Sequence, residues 1–201
     1  MSTQKRLNTN VSKLAECAVM LALAFALSCA KLFEMPMGGS VTIASMLPIM
    51  LIGIKYGTVT GMSVGFVYSL TQLLQAVMSG NVFPYCETLG ALTVCVAFDY
   101  IVPFTLLGLA GIFKELGAVK NPEIASYVGI VSTVALRFVC HFITGVVIWG
   151  QWAPDGMGKY LYSFLYNGGF LAADFAICIV CAVLMFRKSE IRKLTGLEKE
   201  A

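Results

Sequence analysis

Residues 137–167 read RFVCHFITGVVIWGQWAPDGMGKYLYSFLYN and join two apolar segments through a short polar turn. The stretch contains the only histidine of the chain, both tryptophans and a cluster of tyrosines. On a helix, His141, Gly145 and Trp149 would share one face, because residues four apart lie one above the other. Pro154 then interrupts the helix, so the following segment returns its own polar side chains toward Trp149.

Four side chains in residues 137–167, around the polar turn between the two apolar segments, suit a small, flat, polar ligand. They are an imidazole, an indole, a phenol and a carboxamide, supplied by His141, Trp149, Tyr162 and Asn167. Trp and Tyr side chains also concentrate at membrane–water interfaces without binding a ligand. We assign that interfacial role to Trp152 and Tyr160 only.

The composition is that of an integral membrane protein. Of the 201 residues, 58% are hydrophobic and only 12% are charged, with a mean hydropathy of +0.82. A soluble domain carries about twice that charged fraction. Six of the seven cysteines lie within apolar stretches, where cysteine behaves as a small hydrophobe. Neither a disulfide framework nor a redox function for the Cys178–Cys181 pair is expected.

Six apolar segments follow residues 1–12, a polar stretch expected to be a disordered or interfacial cytoplasmic tail. About 20 apolar residues are needed to cross a bilayer, and the segments are predicted at residues 13–32, 41–56, 57–78, 89–113, 124–150 and 160–186. The sequence therefore predicts an all-α membrane protein with a six-helix transmembrane domain, residues 13–186, and a basic cytoplasmic tail, residues 187–201. A cleaved N-terminal signal is not expected, since further apolar segments follow the first.

The positions of the basic residues predict the orientation. Eleven of the 14 Lys and Arg residues fall on the termini and even-numbered loops, two fall on odd-numbered loops, and Arg137 lies within a segment. Cytoplasmic loops are enriched in Lys and Arg. Both termini are therefore expected in the cytoplasm, and residues 149–167 at the outer face.

Small residues recur every four positions in two segments, at Ala18, Ala22 and Ala26 and again at Gly57, Gly61 and Gly65. Such stripes let helices approach closely in lipid. We expect the glycine stripe to form a packing face. The alanine stripe either packs inside the molecule or docks a partner.

Three ionisable residues lie inside apolar segments, at Asp99, Arg137 and Asp174. A charge at the centre of a membrane helix costs at least ~2.5 kcal/mol on insertion scales, so such residues usually pair or serve a function. We expect Arg137 to form a structural ion pair with Asp174. Asp99 is then either protonated, since burial favours the neutral acid, or available to a cationic ligand that an aromatic face would also attract.

Several function classes lack their sequence signatures. No G-x-x-x-x-G-K-S/T phosphate loop is present, so the chain does not power transport with ATP by itself. One histidine and dispersed cysteines do not make a metal site, and no nucleophile accompanies His141. No basic groove favours nucleic acid. We expect no catalytic residue, no metal and no cofactor.

The chain resembles the substrate-binding S components of energy-coupling factor vitamin transporters, and most closely the thiamine-specific ones. The resemblance extends over nearly the whole chain, and its most specific part is the block from His141 to Gly168. Its other marks are Ala18-x-x-x-Ala22, Pro36-Met-Gly-Gly-Ser-Val-Thr, Met46-Leu-Pro48, Asp99-Tyr100 and Gly108-Leu-Ala-Gly111.

In that family six helices enclose a vitamin near the outer face, and an alanine motif docks on a transmembrane coupling subunit that works with two ATPase subunits. The resemblance thus implies a multi-pass, non-enzymatic subunit of a prokaryotic plasma membrane that captures thiamine for uptake. The thiamine-binding residues that it implies are Asp99, Tyr100, His141, Trp149, Tyr162 and Asn167. The partner-docking residues that it implies are Ala18, Ala22 and Ala26.

Two positions depart from the family pattern. The acidic ligand is a glutamate in some members and Asp99 here, one methylene shorter. A tryptophan that some members have in the first outer loop is missing where Gly38 or Gly39 stands.

Three alternatives remain open at this point. The first is an S component for another vitamin or for a thiamine precursor. The second is a stand-alone secondary carrier coupled to protons through Asp99 or Asp174. The third is a membrane-embedded enzyme that uses Asp99 and His141 as acid and base.

Overall fold

The computed structural model describes residues 3–197, with side-chain environments from residue 10 onward. Helices occupy all six of the predicted apolar segments. They are α1 (Thr3–Cys29), α2 (Leu47–Tyr56), α3 (Thr58–Ser79), α4 (Leu89–Glu115), α5 (Pro122–Val147) and α6 (Lys159–Phe186), and a short α7 (Ser189–Thr195) follows.

Four of these helices are long and apolar enough to cross a membrane, namely residues Asn10–Cys29 of α1 and the whole of α4, α5 and α6. Helix α2 has only 10 residues, of which eight are buried inside the bundle. Helix α3 has 22 residues but includes polar side chains such as Gln72 and Gln75. The prediction of a mostly helical membrane fold is therefore confirmed.

Both ends of the chain are more helical than predicted. Helix α1 begins at Thr3 rather than at residue 13, because residues 3–12 contain neither Gly nor Pro to interrupt it. The tail was expected to be disordered or interfacial; its residues 3–12 are helical, and residues 1 and 2 lie outside the described part. Helix α7 occupies the middle of the expected basic tail, whose last residues, 198–201, also lie outside it.

The connection between α1 and α2 is a β-hairpin, which corrects the all-α prediction. Strands β1 (Lys31–Glu34) and β2 (Ser40–Thr42) pair antiparallel. The predicted segments extended into these strands, because hydrophobicity alone does not distinguish a short strand from a helix end. Gly38, with φ +107°, allows the tight turn between the strands.

The predicted packing face on α3 is confirmed at two of its three glycines. A Cβ atom at Gly61 would lie 2.5 Å from the carbonyl oxygen of Gly108, and one at Gly65 would lie 2.9 Å from that of Phe104. The small residues therefore let α3 and α4 approach to backbone contact. Gly57 instead forms the turn before α3, with φ +87°.

Ion pairs join the helices at the end of the bundle opposite the hairpin. Lys55 near the end of α2 pairs with Glu16 of α1. Arg192 of α7 pairs with Glu123 in the first turn of α5, at 2.5 Å. The charged side chains thus fix α7 and the helix ends to one another, away from the hairpin.

Candidate binding site

A cavity of about 110 Å³ lies next to the hairpin, between α1 and α3 on one side and α4, α5 and α6 on the other. It is lined by all six side chains that the family resemblance implies for ligand binding, namely Asp99, Tyr100, His141, Trp149, Tyr162 and Asn167. The two aromatic residues assigned to the interface, Trp152 and Tyr160, are 41% and 63% exposed on the surface. The structure therefore separates the aromatic residues as the sequence analysis did.

Asp99 lies on a π-helical turn, Val96–Ile101, in the middle of α4. Pro103 follows this turn, and a proline both lacks an N–H donor and crowds the carbonyl group four residues earlier, which here is that of Asp99. The N–H of Val102 bonds to the carbonyl oxygen of Ala97, five residues back. Such π-bulges recur at functional sites, and this one carries the acidic residue of the cavity.

Three side chains form hydrogen bonds with the Asp99 carboxylate. His141 Nδ1 lies 2.9 Å from Oδ1, and the Thr144 hydroxyl donates to the same oxygen. Trp149 Nε1 donates to Oδ2 at 3.0 Å. Among residues 10–197, Asp99 forms no ion pair with a lysine or arginine.

Trp149 reaches the cavity from a turn rather than from the face of α5. The helix ends at Val147, and Trp149 begins a 3-10 turn, Trp149–Trp152. The prediction that the helix continues to residue 150 is therefore wrong. The β-branched residues 146–148 and the nearby Gly150 have low helix propensity, which favours the end of the helix here. The hydrogen bond from its indole N–H to Asp99 holds the Trp149 side chain in the cavity.

Gly145 sets the approach of α5 and α6 at the site. A Cβ atom there would lie 2.1 Å from Ser163 Oγ and 2.8 Å from Asn167 Nδ2. Ser163 Oγ donates to the carbonyl oxygen of Phe142 at 2.9 Å, and Asn167 Nδ2 donates to that of His141 at 3.0 Å. Because Gly145 has no side chain, Ser163 and Asn167 of α6 come close enough to α5 to form hydrogen bonds with its backbone.

The expected ion pair between Arg137 and Asp174 is confirmed. Nη1 and Oδ2 lie 3.7 Å apart, and the two residues are only 6% and 1% exposed. Thr42 of β2 donates to Asp174 Oδ1 through its N–H and its hydroxyl, at 3.1 and 2.9 Å. The ion pair thus also ties the hairpin to α6.

A polar cluster that the sequence patterns did not predict also lines the cavity. Gln72 and Gln75 of α3 both donate through Nε2 to Ser28 Oγ of α1, at 3.0 and 2.7 Å. All three residues line the cavity. Two carboxamides within an apolar segment were a usable signal, since polar side chains at membrane depth usually face the protein interior.

Tyr166 is a second residue that the analysis did not assign to the site. It lies four residues after Tyr162, and its hydroxyl donates to the carbonyl oxygen of Pro36 and accepts from the N–H of Gly39 at 3.3 Å. A Cβ atom at Gly39 would lie 3.2 Å from the Tyr166 ring and 2.9 Å from the Phe170 ring. The two rings therefore pack directly against Gly39 of the hairpin.

All seven cysteines are free, in agreement with the sequence prediction. Cys86, in the loop before α4, packs in the same apolar cluster as Trp149 and Tyr100. Burial raises the pKa of the Cys86 thiol, which keeps the group neutral. Cys17, Cys95, Cys140 and Cys178 are buried, whereas Cys29 is exposed.

The alanine stripe of α1 faces away from the bundle. Ala18, Ala22 and Ala26 are all exposed, whereas Ala24 and Ser28 of the same helix are buried. Of the two alternatives for the stripe, internal packing is excluded. The stripe is an outer surface of the protein.

The chain is similar to known proteins both in sequence and in fold. Residues 14–193 match the family model described as thiamine transporter protein (Thia_YuaJ). The thiamine transporter ThiT of Bacillus subtilis (strain 168) is 33% identical over 183 residues, which cover 87% of this chain and 90% of the relative. ThiT of Lacticaseibacillus paracasei is 30% identical over 134 residues, 62% of each chain. The solved structure of ThiT from Listeria monocytogenes matches with a TM-score of 0.68 at 21% identity, over 91% of this chain and 98% of that one. The chain belongs to the thiamine transporter protein family.

Proposed function

We propose that the chain is the S component of an energy-coupling factor transporter and that it binds thiamine in the cavity next to the hairpin. The family consists of membrane transporters, so the function class is transport rather than catalysis. The observation that carries the proposal is the Asp99 carboxylate, which accepts a hydrogen bond from the indole of Trp149 inside the cavity and has no lysine or arginine partner among residues 10–197.

The charges of the cavity wall favour a cationic ligand. Arg137 pairs with Asp174, and Lys31 pairs with Glu34 at 2.7 Å. Among the lining residues this leaves the charge of Asp99 unmatched. Thiamine carries a positive thiazolium ring, and a carboxylate and an indole in an enclosed site both attract a flat cation.

The polar side chains fit the remaining groups of thiamine. Its amino group donates hydrogen bonds, which Asp99 Oδ2 accepts. Its pyrimidine nitrogens accept, and the Tyr162 hydroxyl donates to one of them. Asn167 uses Nδ2 for helix contacts, so its carboxamide oxygen faces the ligand. Tyr100 supplies an aromatic wall, and His141 holds the carboxylate in place. A few directional groups in a largely apolar pocket are typical of small-molecule sites.

The proposal includes the orientation and the partners of the subunit. Six helices span the membrane, with both termini in the cytoplasm and the hairpin at the outer face, as the basic residues predict. The exposed alanine stripe, Ala18, Ala22 and Ala26, docks on the transmembrane coupling subunit. Two ATPase subunits supply the energy, since the chain has no phosphate loop of its own.

Calorimetric titration of the detergent-purified protein with thiamine, riboflavin and biotin tests the ligand. We expect saturable one-to-one binding of thiamine and no heat from the other two vitamins. Preferential binding of riboflavin or biotin would reject the ligand assignment. Thiamine uptake into vesicles that contain only this chain would reject the subunit assignment and favour a secondary carrier.

A further inference from the structure

A continuous chain of buried contacts connects the ion pair to the proposed thiamine site. Asp174 contacts Arg137 at 3.7 Å, and Arg137 Nε lies 3.2 Å from His141 Nε2. The other ring nitrogen, His141 Nδ1, lies 2.9 Å from Asp99 Oδ1. Both Arg137 and His141 are less than 9% exposed.

The direction of these hydrogen bonds determines the protonation of the imidazole. A guanidinium group has only donors, so His141 Nε2 must be the acceptor and carries no proton. A neutral imidazole then carries its proton on Nδ1, which donates to the Asp99 carboxylate. An imidazolium has no acceptor nitrogen and does not fit this arrangement.

We infer that Arg137 is a positioning residue, which fixes His141 as the neutral Nδ1–H tautomer and thereby aims that proton at Asp99 Oδ1. The connection to thiamine rests on the proposed function, whereas the tautomer assignment rests on the contacts alone. A structural ion pair needs only the charge of Arg137. The hydrogen bond from Nε to the imidazole is the additional role.

Arg137 is held rigidly enough for that role. Its guanidinium group lies 4.4 Å from the centre of the Phe104 ring, and Nη1 also contacts Met46 Sδ. Asp174, its ionic partner, is fixed by the two hydrogen bonds from Thr42. The guanidinium group of an arginine has several N–H donors in one plane, so it can contact a carboxylate and an imidazole at the same time. The single ammonium group of a lysine is less suited to this geometry.

The tautomer has a consequence for the ligand. Asp99 Oδ1 already accepts from His141 and Thr144, whereas Oδ2 accepts only from Trp149. The position left for a ligand N–H group is therefore on Oδ2. A neutral His141 also leaves the negative charge of Asp99 for the ligand, whereas an imidazolium would neutralise it.

Nitrogen-15 NMR of selectively labelled histidine tests the inference, because the chain contains one histidine and its imidazole signals need no assignment. In the ligand-free wild-type protein at neutral pH we expect a protonated Nδ1 and an unprotonated Nε2. An unprotonated Nδ1, or two protonated nitrogens, would overturn the assignment without any variant.

Two variants separate positioning from simple charge balance. Arg137→Lys keeps the charge opposite Asp174, and the double variant Arg137→Gln with Asp174→Asn removes both charges together. Each is expected to release His141 into a mixture of tautomers and to weaken thiamine binding about tenfold, the effect of losing one well-aligned hydrogen bond. Unchanged signals and unchanged affinity in a folded variant would show that Arg137 only balances Asp174. A wild-type protein with the expected tautomer but no thiamine binding would reject the proposed function and leave the role of Arg137 intact.

Discussion

The indole nitrogen of Trp149 lies 3.0 Å from Asp99 Oδ2, although 50 residues separate the two in the chain. The contact joins the π-helical turn of α4 to the 3-10 turn that follows α5. Both turns interrupt regular helices, and each supplies one residue of the proposed site. Departures from the α-helix at these two positions are therefore part of how the fold builds the cavity.

Asp99→Asn should weaken thiamine binding about ten- to a hundredfold, because a hydrogen bond to a charged group contributes roughly 1.5–3 kcal/mol. Asp99→Glu should lose much less, since it keeps the charge. Dissociation constants from calorimetry measure both effects. Asp155→Asn removes an exposed acid from the turn between α5 and α6 and serves as the control. Equal affinity of Asp99→Asn and wild type would show that the carboxylate has only a structural role.

Gly145→Ala should destabilise the ligand-free protein by about 1–3 kcal/mol, as expected for an overpacked contact, and should also weaken thiamine binding. The new methyl group would collide with Ser163 and displace Asn167. Gly169→Ala is the matched control, since a Cβ atom there meets no atom within 4 Å. Thermal unfolding in detergent measures both variants, and equal melting temperatures would contradict the packing described at Gly145.

Ala22→Trp should abolish thiamine uptake by the assembled transporter while leaving binding to the isolated subunit unchanged. The alanine is exposed and lies outside the cavity, so the bulky side chain affects only the outer surface of α1. Val180→Trp, on the exposed face of α6, should retain both properties. Loss of binding in Ala22→Trp would mean that the stripe supports the pocket rather than a partner.

The double variant Gln72→Leu and Gln75→Leu should weaken thiamine binding about three- to tenfold, as for a neutral hydrogen bond. Ser28 Oγ donates to the carbonyl oxygen of Phe25 at 2.7 Å, so it must accept from both glutamines. Because their Nε2 groups donate to Ser28, the carboxamide oxygens of Gln72 and Gln75 are free to accept a hydrogen bond, which we expect to come from the hydroxyl group of thiamine.

A thiamine analogue without the hydroxyl group provides the internal control for this prediction. The analogue should bind the double variant and the wild type equally. The variant Gln151→Leu, at an exposed position between α5 and α6, should bind thiamine and the analogue as the wild type does. An equal loss of affinity for thiamine and for the analogue in the double variant would show that the hydroxyl group of thiamine does not contact Gln72 or Gln75.

Much of the fold could be predicted from hydrophobicity and small-residue spacing. These patterns predicted the helices and a packing face at Gly61, whereas only the structure shows that this face meets α4. The hairpin did not, because Lys31–Glu34 is too short and too polar at its ends to differ from a loop. The end of α5 at Val147 was not predicted either. The run of apolar residues continues through Trp149, whereas the α-helical backbone conformation ends at Val147.

The composition of the cavity wall could be predicted only in part. The six residues taken from the family resemblance do line one cavity, and their contact with a ligand stays a prediction. Thr144 does not line the cavity but donates to Asp99, and this supporting contact was detectable because Thr144 lies three residues after His141 on the same helix face. Tyr166 was not distinguishable from its neighbours, since its contacts with Pro36 and Gly39 depend on how the hairpin folds over α6.

The most direct test of thiamine binding in the cavity is a fluorescence titration of three proteins: the wild type, Trp149→Phe and Trp152→Phe. Trp149 lines the cavity, and Trp152 lies on the surface against Tyr85, with ring centroids 5.4 Å apart. We predict saturable quenching by thiamine in the wild type and in Trp152→Phe, and loss of most of the quenching in Trp149→Phe. Undiminished quenching in Trp149→Phe, or no response of the wild type to thiamine, would contradict the account.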